Sequence, residues 1–333
     1  MEERIYYSEN DSSMTIEMEE MFRMISVVIP TLNAQKYIVS LLNKLNSQVI
    51  DDDVEIIVVD SESEDDTALL AEEMHARVIS IKRNEFDHGG TRNLGWRHAK
   101  GDIVCFMTQD ALPVKDTYLA DLISGFSDEN VVMISGRQVP KADANPVERL
   151  TRQFNYPRYS NVRTKEDIDK MGIKAYFFSD VCAAYRRSFL EQSGGFVEPI
   201  ISNEDMLMAS HALKSGYKVR YEAGAEVFHS HNFSLAYQYR RNFDVAVFME
   251  MYKDSIKSGG TTAEGIRMVL FTEKELFKHF HFISMVRCVF ESGAKFLGNR
   301  AGRRYKGMSA KQIMNKTSNM NFWNRGEFYV SRN

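Results

Sequence analysis

The twelve residues "NEFDHGGTRNLG" (84–95) gather two carboxylates, a histidine, paired glycines and an arginine around one bend. A surface turn uses the glycines but has no need of the histidine or the arginine. Gly89 and Gly90 let a backbone turn and come close to a ligand. Arg92 and Asn93 open a short helix whose free N–H groups suit an anion, and an arginine fork fits a diphosphate. Polar groups also follow other apolar runs: Pro30-Thr31-Leu32-Asn33 after "MISVVIP", Asp60-Ser61-Glu62-Ser63 at the end of "VEIIVVD", and Thr108-Gln109-Asp110 after "DIVCFM". Further on, Glu204-Asp205 opens a helical pattern, where the helix dipole favours carboxylates. In the alternating "AEVFHSHNFS", Val227, His229 and His231 share one face.

The elements behind these residues read as alternating strands and helices. Continuous β-branched runs at 24–30, 54–60, 77–81 and 102–107 suit strands buried on both faces. Helical patterns at "AQKYIVSLLNKLNSQ", "DDTALLAEEMHA" (65–76) and "TRNLGWRHAKG" (91–101) lie between them. Such alternation implies right-handed crossovers and a parallel sheet, whose ligands sit at the carboxyl ends of the strands. The polar groups that follow these four strands all fall at that edge. Residues 131–136 and 175–187 read as further strands, 203–216 as a helix, and the chain turns helical past 235.

Length and composition set the bounds. The chain has 333 residues, 44% apolar and 26% charged, as in an ordinary soluble protein with ample core. A net charge of −4 gives no nucleic-acid footprint. Cys105, Cys182 and Cys288 have neither metal nor disulfide spacing, which fits a reducing cytosol. No apolar run reaches membrane-spanning length, and the acidic, polar start reads as a loosely ordered extension rather than a secretory signal.

In their order, "PTLNA", "VVD", "TRN", "QD", "GGF", "NED" and "VFH" resemble the motifs of an inverting family-two glycosyltransferase of the GT-A fold. "EFDHGGTRNLG" together with "TQDALP" resembles the rhamnosyltransferase branch. The resemblance implies a Rossmann-like α/β catalytic domain over residues 24–235, between an extension (1–23) and a helical C-terminal region (236–333). It implies transfer of L-rhamnose from dTDP-L-rhamnose to a saccharide or lipid-linked saccharide, with another nucleotide sugar, such as a UDP-sugar, as the alternative. Donor contacts then fall on Pro30, Thr31, Asn33, Asp60, Asp87, His88, Gly89, Arg92, Asn93 and Gln109. Asp60 is assigned to the base, although the Asp60-Ser61-Glu62-Ser63 sequence departs from the family's common form. Asp110 retains one carboxylate of the family's acid pair, since Thr108 takes the first position. One carboxylate plus substrate phosphates suffices for Mg²⁺ or Mn²⁺, and His229 or His231 would complete that site. Asp205 is implied as the base that takes the acceptor proton, with Glu204, Gly194 and Gly195 along the acceptor. A sugar-nucleotide pyrophosphorylase would carry its GTR string after the first strand, not some way downstream. A non-catalytic GT-A-like binding protein would have no use for Asp110, Asp205 and Arg92.

The C-terminal region adds an apolar helical stripe through Met285, Val289, Phe290 and Phe296. From Ser292 to Gly326 there is no acidic residue, while Lys295, Arg300, Arg303, Arg304, Lys306, Lys311 and Lys316 are basic. A basic amphipathic segment suits an anionic membrane at the inner face of the plasma membrane. A lid on the catalytic domain and a homodimer contact use the same features.

Overall fold

The structure is a computed structural model describing residues 24–256 and 261–325; the expected N-terminal extension lies outside the described residues. Nine strands form one sheet among these residues: β1 (Met24–Thr31), β2 (Asp53–Asp60), β3 (Arg77–Ser80), β4 (Ile103–Met107), β5 (Leu112–Pro113), β6 (Val131–Val139), β7 (Asn161–Arg163), β8 (Cys182–Arg186) and β9 (Lys218–Phe228). Their order is β3-β2-β1-β4-β8-β6-β9-β5, with β7 also on β9. The β3-β2-β1-β4 half is parallel, as its β-branched runs and intervening helices require. Beyond β4 the sheet is mixed: β8 runs antiparallel between β4 and β6, while β6 and β9 pair in parallel. The α/β architecture with a helical C-terminal region is therefore present.

Both sheet faces are covered, so the central strands alternate between two cores rather than between core and water. Val28, Val104 and Phe106 pack with Trp96, Phe196 and the helix Glu204–Lys214. Val27, Cys105 and Met107 face Ile38, Leu41 and Leu42 of the helix Gln35–Asn46 on the other side.

Three local expectations change. The helix expected at 91–101 runs His88–His98, because Asp87 caps it by accepting the Gly90 N–H at 2.8 Å. The run 175–187 supplies a strand only from Cys182 to Arg186. Upstream, the buried Arg163 guanidinium takes up the Ala175 and Phe177 carbonyls, so that backbone is satisfied by a side chain and forms no ladder. β9 ends at Phe228, so the two histidines lie just past the strand and not on it.

The helices after residue 235 are packed against the rest. Phe243, Val247, Phe248, Tyr305, Phe322 and Trp323 belong to the same core cluster as Val28 and Phe106. The helix Phe282–Gly302 crosses the helix Leu235–Met251 so closely that a Cβ on Gly298 would meet the Tyr239 carbonyl and one on Gly302 the Phe243 carbonyl. Backbone cannot yield as a flexible side chain does. We expect Gly298→Val to lower the urea midpoint by an amount equivalent to about 1–3 kcal/mol, from overpacking. Gly293→Ala, at a helical position with nothing within 4 Å, should be neutral or stabilising.

Candidate active site

Two clusters of charged side chains meet at the carboxyl edge of β4. The first contains Asp110, His229 and His231, whose ligand atoms all lie within 4.8 Å of one another. His229 Nε2 is 3.4 Å from Asp110 Oδ1, His231 Nε2 is 3.3 Å from Oδ2, and the two Nε2 atoms are 3.0 Å apart. His229 Nδ1 sits 2.9 Å from Gln138 Oε1, and its Nε2 faces Asp110. Burial, and for His231 also the neighbouring His229, lowers both imidazoles, His231 to about 4, so both are neutral near pH 7. Burial works against the Asp110 charge, but His229, Lys141 and His231 outweigh it and hold this carboxylate below the usual range. An ionised carboxylate and two neutral imidazoles fit a divalent ion.

The second cluster surrounds Arg92. Its guanidinium is buried, with Nε 3.1 Å from Asp180 and Nη1 2.9 Å from Glu204. Asp205, half-buried, accepts from its neighbour Met206 N at 2.7 Å and from Asp180 N at 3.2 Å. Tyr185 donates its hydroxyl to Asp180 at 2.6 Å. Three carboxylates thus share one cation. Burial and the Glu204 and Asp180 charges push Asp205 well above the ordinary carboxylate value. Burial raises Asp180 to about 7 despite Arg92, whereas Arg92 keeps Glu204 low against its own burial. The stretch 179–181 joins the clusters: Ser179 accepts from Gln138 at 2.9 Å, Asp180 meets Arg92, and the Val181 carbonyl accepts the Thr108 N–H at 3.2 Å.

These placements revise several expectations. Arg92 is not a free fork for a diphosphate, because it is buried in the second turn of its helix and occupied by two carboxylates. Glu204 is its buried ion-pair partner. Asn93 donates to the Phe196 carbonyl at 2.8 Å and accepts from Phe196 N and Trp96, so it fixes the "GGF" loop. Asp87, besides capping, accepts from Ile200 N at 3.0 Å. Gly89 does approach a backbone closely, but that backbone is the chain's own Val197 carbonyl. Gly194 and Gly195, both at positive φ, close the helix Arg187–Ser193, and Gly195 lines a cavity of about 300 Å³ with Glu204 and Tyr252. His88 is half-buried at the start of its helix, with its ring edge-on to Phe86.

The remaining residues order the loop after β1. Asp60 is buried, accepting from Thr31 Oγ1 at 2.9 Å and from Ser63 N and Oγ at 2.9 and 2.6 Å. Asn33, at φ 50, donates its N–H to Ser63 and accepts from Glu64 N, and Gln109 clamps both backbone groups of Leu32 at 2.8 and 3.1 Å. Pro30 is half-buried in β1 beside Val59. Sequence reasoning missed Asp180, Lys141 and Gln138. A single acid inside the apolar run "AYFFSDVCAAY" is a signal for Asp180, because an unpaired acid is rarely buried. Lys141, 3.1 Å from Asp110, and Gln138 have none, since the β6–β9 register brings them in.

The model of "Glycosyl transferase family 2" matches residues 26–194. The O-antigen chain rhamnosyltransferase RfbN of Salmonella typhimurium is 36% identical over 92% of this chain and 98% of its own length. The O-antigen chain rhamnosyltransferase WbaN of Salmonella anatum is 37% identical over 84% of this chain and 89% of its own. Among solved structures, the mannosyltransferase PcManGT from Pyrobaculum calidifontis, in complex with GDP-Man and Mn²⁺, aligns with a TM-score of 0.57 at 16% identity, covering 84% of this chain and 87% of that one. That likeness shows the GT-A fold. With half the chain matched by the family model and near full-length relatives above one-third identity, this protein belongs to glycosyl transferase family 2 and is a glycosyltransferase.

Proposed function

We propose that the enzyme transfers L-rhamnose from dTDP-L-rhamnose, with inversion, to a saccharide or lipid-linked saccharide acceptor in cell-surface polysaccharide synthesis. The near full-length identity to two O-antigen rhamnosyltransferases carries this reading. The Asp60–Ser63–Asn33 network shapes the edge that receives the nucleotide, and Gln109 holds its wall. Asp205 takes the proton of the acceptor hydroxyl as that oxygen bonds to the anomeric carbon. The bond from that carbon to the donor phosphate breaks, and dTDP leaves with the electron pair. Asp110, His229 and His231 would hold a divalent ion, with Lys141 beside them. When bound, that ion neutralises charge on the departing diphosphate. Two imidazoles favour Mn²⁺ over the harder Mg²⁺.

A thermal-shift screen tests donor and ion together. The melting temperature should rise more with dTDP-rhamnose than with UDP-glucose or GDP-mannose. Mn²⁺ should add to the shift mainly when donor is present, and His229→Ala should lose that added part. A clear preference for another nucleotide sugar would remove the rhamnose assignment, and full turnover in excess chelator would remove the ion.

Asp205→Asn keeps the side chain's shape but removes its basicity. Turnover should fall by about 10²–10⁴-fold with donor affinity unchanged. Normal turnover would show that the base lies elsewhere.

A base with a raised pKa acts only after losing its proton, so turnover should climb with pH to well above the ordinary carboxylate range. In Asp180→Asn one like charge next to Asp205 is gone, and the acid limb of the pH–rate profile should move to lower pH. An unmoved limb would uncouple the two residues.

A further inference from the structure

The helices Thr261–Lys278 and Phe282–Gly302 form a hairpin with an unusual surface. Ile283, Val286, Phe290 and Leu297 recur every three, four and seven residues along one face, all of them exposed, Ile283 to 89%. Ile266, Leu270 and Phe277 are exposed on the partner helix, and Phe280 between the helices is 78% exposed. Single exposed apolar residues need no explanation, but a contiguous set does. From Ile283 to Leu297 the stripe spans roughly 20 Å at 1.5 Å per residue, so it presents a long flank and not only a tip.

The flank is bordered by positive charge. Between the two helices lies a cavity of about 610 Å³ in which Ile266, Leu270 and Phe296 adjoin Lys295, Arg300, Arg303 and Arg304. Among the described residues, none of these four cations has a carboxylate within 4 Å, whereas nearby acids are engaged: Glu264 with Lys174, Glu275 with Lys278, and Glu291 with Arg287. A second copy of the chain docking isologously on this face would set cation against cation. An anionic lipid surface would satisfy both the charge and the apolar flank.

We propose that this hairpin lies in the plane of an anionic lipid leaflet, with its apolar flank at the acyl boundary and Lys295, Arg300, Arg303 and Arg304 on lipid phosphates. This deepens the lipid-linked acceptor of the proposed function and rests on it for its purpose. The hairpin is joined to the catalytic edge. Phe271 packs on Phe154 of the helix Pro146–Asn155, and Glu148 of that helix accepts the backbone N–H of His231.

The test is co-sedimentation of the full chain with phosphatidylglycerol-containing vesicles, without donor or acceptor. Binding should be strong at low salt, weakened by salt, and poor on phosphatidylcholine alone. Arg300→Ala/Arg303→Ala/Arg304→Ala should lower the partition coefficient roughly a hundredfold, at about 1 kcal/mol per cation. Leu270→Glu/Ile283→Glu should abolish binding with circular dichroism, melting temperature and turnover on a soluble acceptor unchanged. Full-length protein that ignores anionic vesicles at low salt overturns the proposal. So does a concentration-dependent dimer in sedimentation velocity that Ile283→Glu dissolves, which would assign the face to a second copy. Because the vesicles carry no substrate, a failure here leaves sugar transfer standing, and a failure of transfer leaves vesicle binding standing.

Discussion

The buried guanidinium of Arg92 is the constraint on which the Asp205 half of the site depends. A charge this far from water must be neutralised, and breaking a buried pair costs far more than a surface pair contributes. Here Asp180 and Glu204 both reach it, and Asp205 stands next to them. Fully ionised, the group would carry an excess of negative charge, so protons are retained, and Asp180 rises to about 7. One cation therefore anchors the start of the helix Glu204–Lys214, anchors the stretch before β8, and leaves Asp205 more basic than an ordinary aspartate. The position of Arg92 is in turn fixed by its helix. Asp87 ties that helix to Ile200, Asn93 ties it to Phe196, and Gly89 lets it touch the Val197 carbonyl.

The Asp110 cluster has the opposite electrostatic sense. One carboxylate is surrounded by two imidazoles and a lysine, so Asp110 remains ionised where Asp205 resists ionisation. Two carboxyl groups on one sheet edge are thus tuned apart by their neighbours, as the ion-binding acid and proton-accepting base proposed above require. The antiparallel pairing of β8 with β4 sets their spacing, because Cys182 opposite Met107 brings Ser179, Asp180 and Val181 against Thr108.

The parallel half of the fold was legible because it follows local rules: apolar runs buried on both faces, helical periods between them, and polar residues at the strand ends. Asp110, His229 and His231 could be named from their motifs, although β9 stops before the histidines and the loop after Phe228 turns them together. Arg92 stands out in the sequence by its incongruity, but its partners, Asp180 and Glu204, do not. A sequence shows a fork that fits two oxygens but not whether those oxygens belong to a diphosphate or to Asp180 and Glu204, far along the chain. The same limit hid Lys141 and Gln138, which enter through strand register, and made Asn93 and Asp87 look like ligand contacts when they hold the 196–200 loop in place.

The C-terminal region then follows from what that loop needs. Residues 196–201 pack on the helix of Arg92 from one side, and the other side is closed by the chain's return: Asn319 donates to the Ile201 carbonyl at 2.9 Å, and Asn321 to the Arg83 carbonyl at 2.8 Å. That return is pinned by the buried Asp244, which accepts from Thr317 at 2.6 Å and from Ser318 N at 2.7 Å. Asp244 lies on the helix Leu235–Met251, whose neighbouring carbonyls crowd Gly298 and Gly302 of the hairpin's second helix. Hairpin, returning chain and the 196–201 loop are thus mechanically one piece. A lid free to swing would need a seam with few contacts, yet a single hydrophobic core crosses residue 235. Any surface that engages the hairpin therefore fixes the orientation of the edge carrying Asp205 as well.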